Sequence, residues 1–294
     1  MKSPIISHLL VLLATFLVGG SFIVSQKLSG IVNPISLNLL RFVYASIFLA
    51  PFIVFKKEYR VRIIPSFQRA MIISFFYSLF FIGLFKSLEY TTALNTGTIF
   101  TLVPLLTAIF SIFAFKQSIS IKQFIVYFVG IVGTIVVVFK GNLELLLNLS
   151  LNKGDILFSF AVISMALYSI SGKYLYREND KLIVLVFMTL TGGCIWMGAA
   201  LVALDIPLGW GKIENEFFWY MTYLSLLATL LTSYLYHRAI VNIGPKKVMA
   251  YVYLNPAAIA LLLFAFEGVI IPLWSAIGII ISSITTKILL TMQD

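Results

Sequence analysis

"LNPAAIALLLFAFE" (residues 254–267) is apolar apart from Asn255, Pro256 and Glu267. Proline removes one helical N–H and displaces the carbonyl four residues earlier. Glutamate is among the side chains least often fully buried. A helix breaker and a carboxylate inside such an apolar run make sense only if the surroundings are equally short of water. They are: the chain is 61% hydrophobic, 15% aromatic and only 11% charged, with a mean hydropathy of +1.03. A soluble domain carries about 25% charged residues. Apolar runs of about 20 residues, each long enough to cross a bilayer as a helix, recur along almost the whole sequence. The composition therefore predicts an all-α polytopic membrane protein, because a backbone out of reach of water must bond to itself.

Ten spans are expected, at 5–25, 34–55, 69–89, 92–115, 121–139, 154–175, 182–204, 216–238, 245–266 and 269–290. The first of them, "IISHLLVLLATFLVGGSFIVS", is longer than a signal-peptide h-region and is read as a retained helix. Connections are short except for the polar "KGNLELLLNLSLNKGD" (140–155), which marks the boundary between two units, 1–147 and 148–294. Each unit holds five spans. An odd number forces the second half to enter the membrane in the opposite sense, so ten transmembrane helices in two inverted five-helix repeats should enclose a central cavity.

Lysine and arginine set the orientation. With the N-terminus inside, fifteen basic residues lie in cytoplasmic loops or at cytoplasmic helix ends, five lie outside, and Arg41 falls within a span. Both termini are expected in the cytoplasm, with the protein in the inner or plasma membrane. The net charge of +10 does not point to nucleic acid, since the basic residues occupy short loops rather than one folded face. The single cysteine, Cys194, can form no intrachain disulfide and has no metal-ligand spacing around it.

Traces of the repeat are faint. "SFIVSQKL" (21–28) aligns with "LYSISGKY" (167–174), and "IFTLVPLLTAIFSIFAFKQSI" (99–119) with "YVYLNPAAIALLLFAFEGVI" (251–270), which sets Pro104 opposite Pro256. Each fourth helix thus carries a proline partway along, either a packing kink or one of a pair of hinges beside a cavity.

These segments, together with "NPISLNLLRFVYAS" (33–46), "ALNTGTIF" (93–100) and "KGDILFSFAVISMALYSISGKYL" (153–175), resemble the two repeats of EamA-type proteins of the drug/metabolite transporter superfamily. The resemblance covers essentially the full chain. It implies ten helices forming a basket around a central cavity, and movement of small metabolites, often amino acids or related solutes. One departure stands out. The carboxylate that family repeats often carry after the fourth helix is present as Glu267, but the first half has Lys116 and Gln117 there.

Candidate substrate contacts come from polar residues on apolar helices. Arg41 lies seven positions after Pro34 and shares a helix face with Asn38 and Ala45. An arginine in this environment costs at least ~2.5 kcal/mol unless it finds a partner or a wet cavity. It reads either as the anchor for a substrate carboxylate or as a brace reaching a helix end or the interface. Asn95, Thr98 and Thr101 form a stripe ahead of Pro104; Ser164, Tyr168 and Ser171 form another; Tyr251 and Asn255 precede Pro256. Such groups also serve as ordinary helix–helix contacts. Lys86 and Glu89 are expected to pair locally, Glu267 to sit at a helix end, and His8 and His237 to lie near helix ends at the interface. Trp210, Trp219 and Tyr220 fit an interfacial aromatic belt. Asn148-Leu149-Ser150 has the form of a glycosylation sequon.

The expected activity is transport of a small polar organic solute by alternating access. A flippase for lipid-linked sugars is the second reading and an intramembrane enzyme the third. The sequence holds no HExxH, no G-x-S-x-G, no paired intramembrane aspartates and no nucleotide-binding loop, so no catalytic residue, metal or cofactor is expected. A coupling ion, proton or sodium, and pairing into a homodimer are left open.

Overall fold

The computed structural model describes residues 4–139, 142, 144, 151–213 and 217–292. The 147/148 boundary, the sequon at 148–150, Lys2 and Lys140 lie outside the described residues. Helices dominate, and no strand occurs among the described residues. Nine helices there are long and apolar enough to span a membrane: α1 (Pro4–Leu28), α2 (Pro34–Val54), α3 (Ile63–Leu88), α4 (Ala93–Phe115), α6 (Lys153–Tyr174), α7 (Leu182–Ala203), α8 (Phe218–Ile243), α9 (Pro245–Glu267) and α10 (Leu273–Thr291). Between α4 and α6 lies α5 (Ile121–Val138), also apolar but shorter.

Local chemistry sets the helix starts. Asn33 caps α2 ahead of Pro34, and Thr92 caps α4. Ser120 with Gln123, and Asn152 with Asp155, form reciprocal capping boxes at α5 and α6. Gly244, at φ 84°, is the single residue between α8 and α9. A β-carbon would strain that turn.

Two boundaries differ most from the sequence reading. α3 begins at Ile63 rather than residue 69, because the buried Arg69 finds a partner in Asp180 and the helix continues past it. α8 continues to Ile243 rather than stopping at 238, because His237 faces the interior.

The helix pairing is two-fold. α3 packs on α6 as α8 packs on α1; α4 on α6 as α9 on α1; α3 on α7 as α8 on α2; while α2–α7, α4–α9 and α5–α10 pair across the axis. The halves are inverted. Short connections run α1 to α2 to α3, so α1 and α3 end at the same face of the bundle. There the Thr91 hydroxyl, just past α3, donates to Asp155 at the start of α6 over 2.6 Å. α6 thus starts where α1 ends. One end of the bundle carries Arg62, Arg69 and Lys181 and is called the basic end below; Lys27, Glu89 and Glu267 lie at the opposite end. Outward-facing Ile47, Phe52, Phe113, Phe160, Val202, Phe264 and Phe266 make the flank apolar, as a lipid-facing surface requires.

Candidate functional site

Three helices are irregular, and two of the irregular segments meet where the halves cross. α4 tightens to a 3₁₀ turn at Phe100–Leu102 just before Pro104, and α9 does the same at Tyr251–Leu254 just before Pro256. Proline cannot donate to the preceding turn, and tighter i→i+3 bonding accommodates the break. The two 3₁₀ turns pack on each other across the axis, and Gly97 leaves room for the Ile259 side chain at the same crossing. The third irregularity is a π-helical segment in α8, Tyr223–Leu231.

Arg41 docks into that π segment. It is fully buried. Its Nε donates to the Leu224 carbonyl over 3.1 Å and to the Thr229 hydroxyl, and Nη2 donates to the Ala228 carbonyl over 3.3 Å. The guanidinium carbon lies 4.2 Å from the centre of the Phe81 ring, a cation–π contact. All its partners are neutral. No carboxylate among the described residues lies within ion-pair distance of it, and Nη1 has no hydrogen-bond partner. One turn earlier, Asn38 donates to the carbonyls of Pro34 (2.8 Å) and Phe81 (3.3 Å), while its Oδ1 is unpaired.

Phe81 also forms part of the wall of a small cavity where the halves meet. Val18, Ser21, Tyr77, Phe100, Thr232 and Tyr236 are among its other walls, and its volume is about 20 Å³. That holds roughly one water, so the bundle is closed around its centre. The walls are mainly aromatic. Tyr77, Phe81 and Tyr236 were not singled out from sequence, where aromatic residues at helical spacing are indistinguishable from ordinary core.

The other candidates are distributed differently. Tyr168 is buried and stacks on Tyr77 with centroids 4.3 Å apart. Asn255 is buried beside Pro256, and neither atom of its amide is paired. Tyr251 bonds His8 Nδ1 at 2.9 Å. Thr98 and Thr101 donate to their own helix, to the Leu94 (2.6 Å) and Thr98 (2.7 Å) carbonyls. Asn95 is half-buried in the first turn of α4. Ser171 opens onto a pocket of about 560 Å³ on the flank of the bundle, bordered by Phe113 and Tyr174. Arg41 and Asn38 thus share one site, with Tyr168 one ring behind the cavity wall, while Asn95 and Ser171 lie apart from it.

Ion pairs tie the halves together at both ends. Lys27 of α1 meets Glu267 of α9 at 2.9 Å at the opposite end, above an apolar groove of about 490 Å³ between α1, α8 and α9. At the basic end Asp180 joins Arg69, and Glu58 meets Lys181. Lys86 pairs with Glu89 within one turn, at 2.6 Å, as its spacing predicted. His8 is half-buried on Tyr251 and His237 is fully buried, so His237 does not occupy the interfacial position expected of it. Among the described residues no cluster of metal-ligating side chains occurs.

The model of the EamA-like transporter family matches residues 5–139 and 152–291. An uncharacterized transporter of Bacillus subtilis, YyaM, is 25% identical over 276 residues, covering 90% of this chain and 86% of its own. An uncharacterized transporter of Archaeoglobus fulgidus is 25% identical over 268 residues, covering 88% of each chain. One solved crystal structure shares the fold at a TM-score of 0.69 and 16% identity, across 97% of this chain and 96% of the other.

Proposed function

Since this chain belongs to the EamA-like transporter family and is a multi-pass membrane transporter, we propose that it moves small polar organic solutes bearing an anionic group, amino acids first among them. Movement occurs by alternating access between the two repeats, with no covalent chemistry. The observation that carries this reading is Arg41: a fully buried cation with no carboxylate partner and one unpaired N–H, next to the cavity between the halves. A buried charge with only neutral partners remains incompletely compensated, and a solute carboxylate supplies the missing half. Asn38, one turn away with a free acceptor, suits the ammonium of the same solute. Pro104 and Pro256 serve as the paired hinges. The basic end faces the cytoplasm of the inner or plasma membrane.

Uptake of labelled amino acids, amines and nucleosides into proteoliposomes tests this reading. Carboxylate-bearing solutes should move and compete with one another; folded protein that moves none of the panel refutes it. The lateral groove beneath Lys27 and Glu267 favours a second reading, translocation of a lipid-linked solute. In that case headgroup-labelled lipids would cross between leaflets while free amino acids would not compete.

A further inference from the structure

The chain has two histidines. His8 spends Nδ1 on the Tyr251 hydroxyl. His237 lies inside α8, fully buried, and neither ring nitrogen has a hydrogen-bond partner. A neutral imidazole has one donor and one acceptor, and burying both unpaired is costly where an apolar side chain would fill the same space freely. The room it occupies is provided by α6. A β-carbon on Gly172 would stand 2.9 Å from His237 Cε1 and 3.3 Å from Nδ1.

One turn before Gly172, Tyr168 meets the imidazole edge-on, with centroids 5.4 Å apart and planes at 72°. Tyr168 in turn stacks on Tyr77 at 4.3 Å. The Tyr77 hydroxyl is 2.8 Å from Ser233 Oγ, one turn before His237 on α8. Tyr77 and Tyr236 both line the central cavity. A column of rings and hydroxyls therefore leads from the cavity to His237, with Tyr168 as the separating layer.

Toward this end of the bundle the surrounding helices carry tyrosines, cations, a second histidine and a thiol. α6 contributes Tyr168 and Lys173, whose Nζ donates to the Val241 carbonyl over 2.9 Å; α3 contributes Tyr77. His8 comes from α1, Cys194 from α7, Lys246 and Lys247 from the start of α9, and Tyr234, Tyr236 and Arg238 from α8 itself. The only carboxylates on α1 and α6 to α9 are Asp155 and Glu267, both at the opposite end of the bundle. An imidazolium in the closed bundle would be an uncompensated buried charge.

We propose that His237 is the binding site of the coupling proton. The inference rests on the transport reading above and names the ion that drives it. A proton from water adds to a ring nitrogen only when the Tyr168 layer parts and cavity water reaches the ring. It returns to water before the ring is buried again. Proton binding and opening are then linked, each favouring the other.

The test begins without a solute. Full-length protein labelled with ¹⁵N-histidine in lipid nanodiscs is titrated from pH 8 to pH 5, the range of an ordinary imidazole, with His8 assigned through H8Q. The His237 signal should pass from neutral to charged in that range; a ring that stays neutral wherever the protein is folded overturns the proposal. In proteoliposomes at zero potential, one proton per solute gives up to about tenfold accumulation per pH unit. H237Q and H237N should accumulate nothing, and retained pH-driven accumulation in either folded variant overturns the coupling role. If the wild type moves no solute of the panel, the transport reading fails. The titration then decides by itself whether His237 takes up a proton.

Discussion

Arg41 holds two roles in one side chain. Its planar fork braces the Leu224 and Ala228 carbonyls of the π segment and leaves Nη1 unpaired. A lysine keeps the charge but loses the fixed fork that reaches three acceptors together. Arg41→Lys should therefore lower unfolding stability by about 1–3 kcal/mol. If Nη1 meets a solute carboxylate, the KM for anionic solutes should also rise by roughly 10- to 100-fold, the equivalent of one charge-assisted hydrogen bond. Flux kinetics normalised to folded protein check this; a fall in maximal flux with KM unchanged would leave only the bracing role. At the basic end, Asp180 gives a prediction in pH. Burial pushes its carboxyl up, but the Arg69 guanidinium and the Arg177 backbone N–H outweigh this and hold it below its ordinary value of 3.8. A depressed carboxyl adds stability that is fully present above the ordinary value and is lost as pH falls through the folded-state value. Asp180→Asn should thus melt below wild type at pH 7, by an amount equivalent to about 1–3 kcal/mol. The gap should persist down to about pH 4 and close only in stronger acid, which thermal melts across pH would show.

Pro104 and Pro256 show both the reach and the limit of sequence reading at the scale of the element. Their alignment gave two broken fourth helices, and each is broken, by a 3₁₀ turn packed against its counterpart. If these breaks act as hinges, Pro104→Ala and Pro256→Ala should each restore a helical N–H and stiffen the crossing. Flux should then fall several-fold with melting temperature unchanged or raised, because the substitution supplies the bond that proline withholds. Flux and amide exchange at Phe100–Thr101 and Tyr251–Tyr253 read the two effects separately. The π segment of α8 had no such marker: "YLSLLATLL" contains neither proline nor glycine. Its carbonyls are bound by Arg41, 183 residues away from Leu224 in sequence. Hydropathy likewise ended α8 at Arg238 and began α3 at Arg69. In a window, a charge reads as a boundary; in the bundle, Asp180 receives Arg69, and α8 runs on to Ile243 past a half-buried Arg238. Composition cannot tell a hydroxyl that bonds its own helix, as those of Thr98 and Thr101 do, from one turned to a solute.

At the scale of the molecule, the inverted halves make the two faces nearly equivalent in backbone, so charge must decide which way the bundle sits. The basic end carries Lys56, Lys57, Arg60, Arg62 and Arg69 within one short region, whereas the opposite end carries Lys27, Lys86, Lys153 and Lys212, the first two paired with Glu267 and Glu89. Juxtamembrane lysine and arginine are retained in the cytoplasm during insertion, while acidic residues contribute little to that choice. The orientation should therefore follow the basic cluster at 56–62 and place both chain ends inside. The chain's single cysteine makes this testable. In a Cys194→Ser background, a cysteine replacing Lys57 should react with a membrane-impermeant maleimide only after cells are permeabilised, and one replacing Lys212 should react in intact cells. The opposite labelling pattern would turn the molecule over. The Asp180–Arg69 and Glu58–Lys181 pairs would then clasp the outer mouth, and Lys27–Glu267 the inner one. Because the two mouths are closed by unequal sets of ion pairs, that reversal would also exchange which side of the membrane the Asp180 and Glu58 carboxyls face. The basic-end mouth is held by Asp180 and Glu58, whose carboxyls are both kept below their ordinary range by the cations beside them. Protonating them takes strong acid, so with the predicted orientation strong acid on the cytoplasmic face should loosen that mouth and increase solute leak through reconstituted protein.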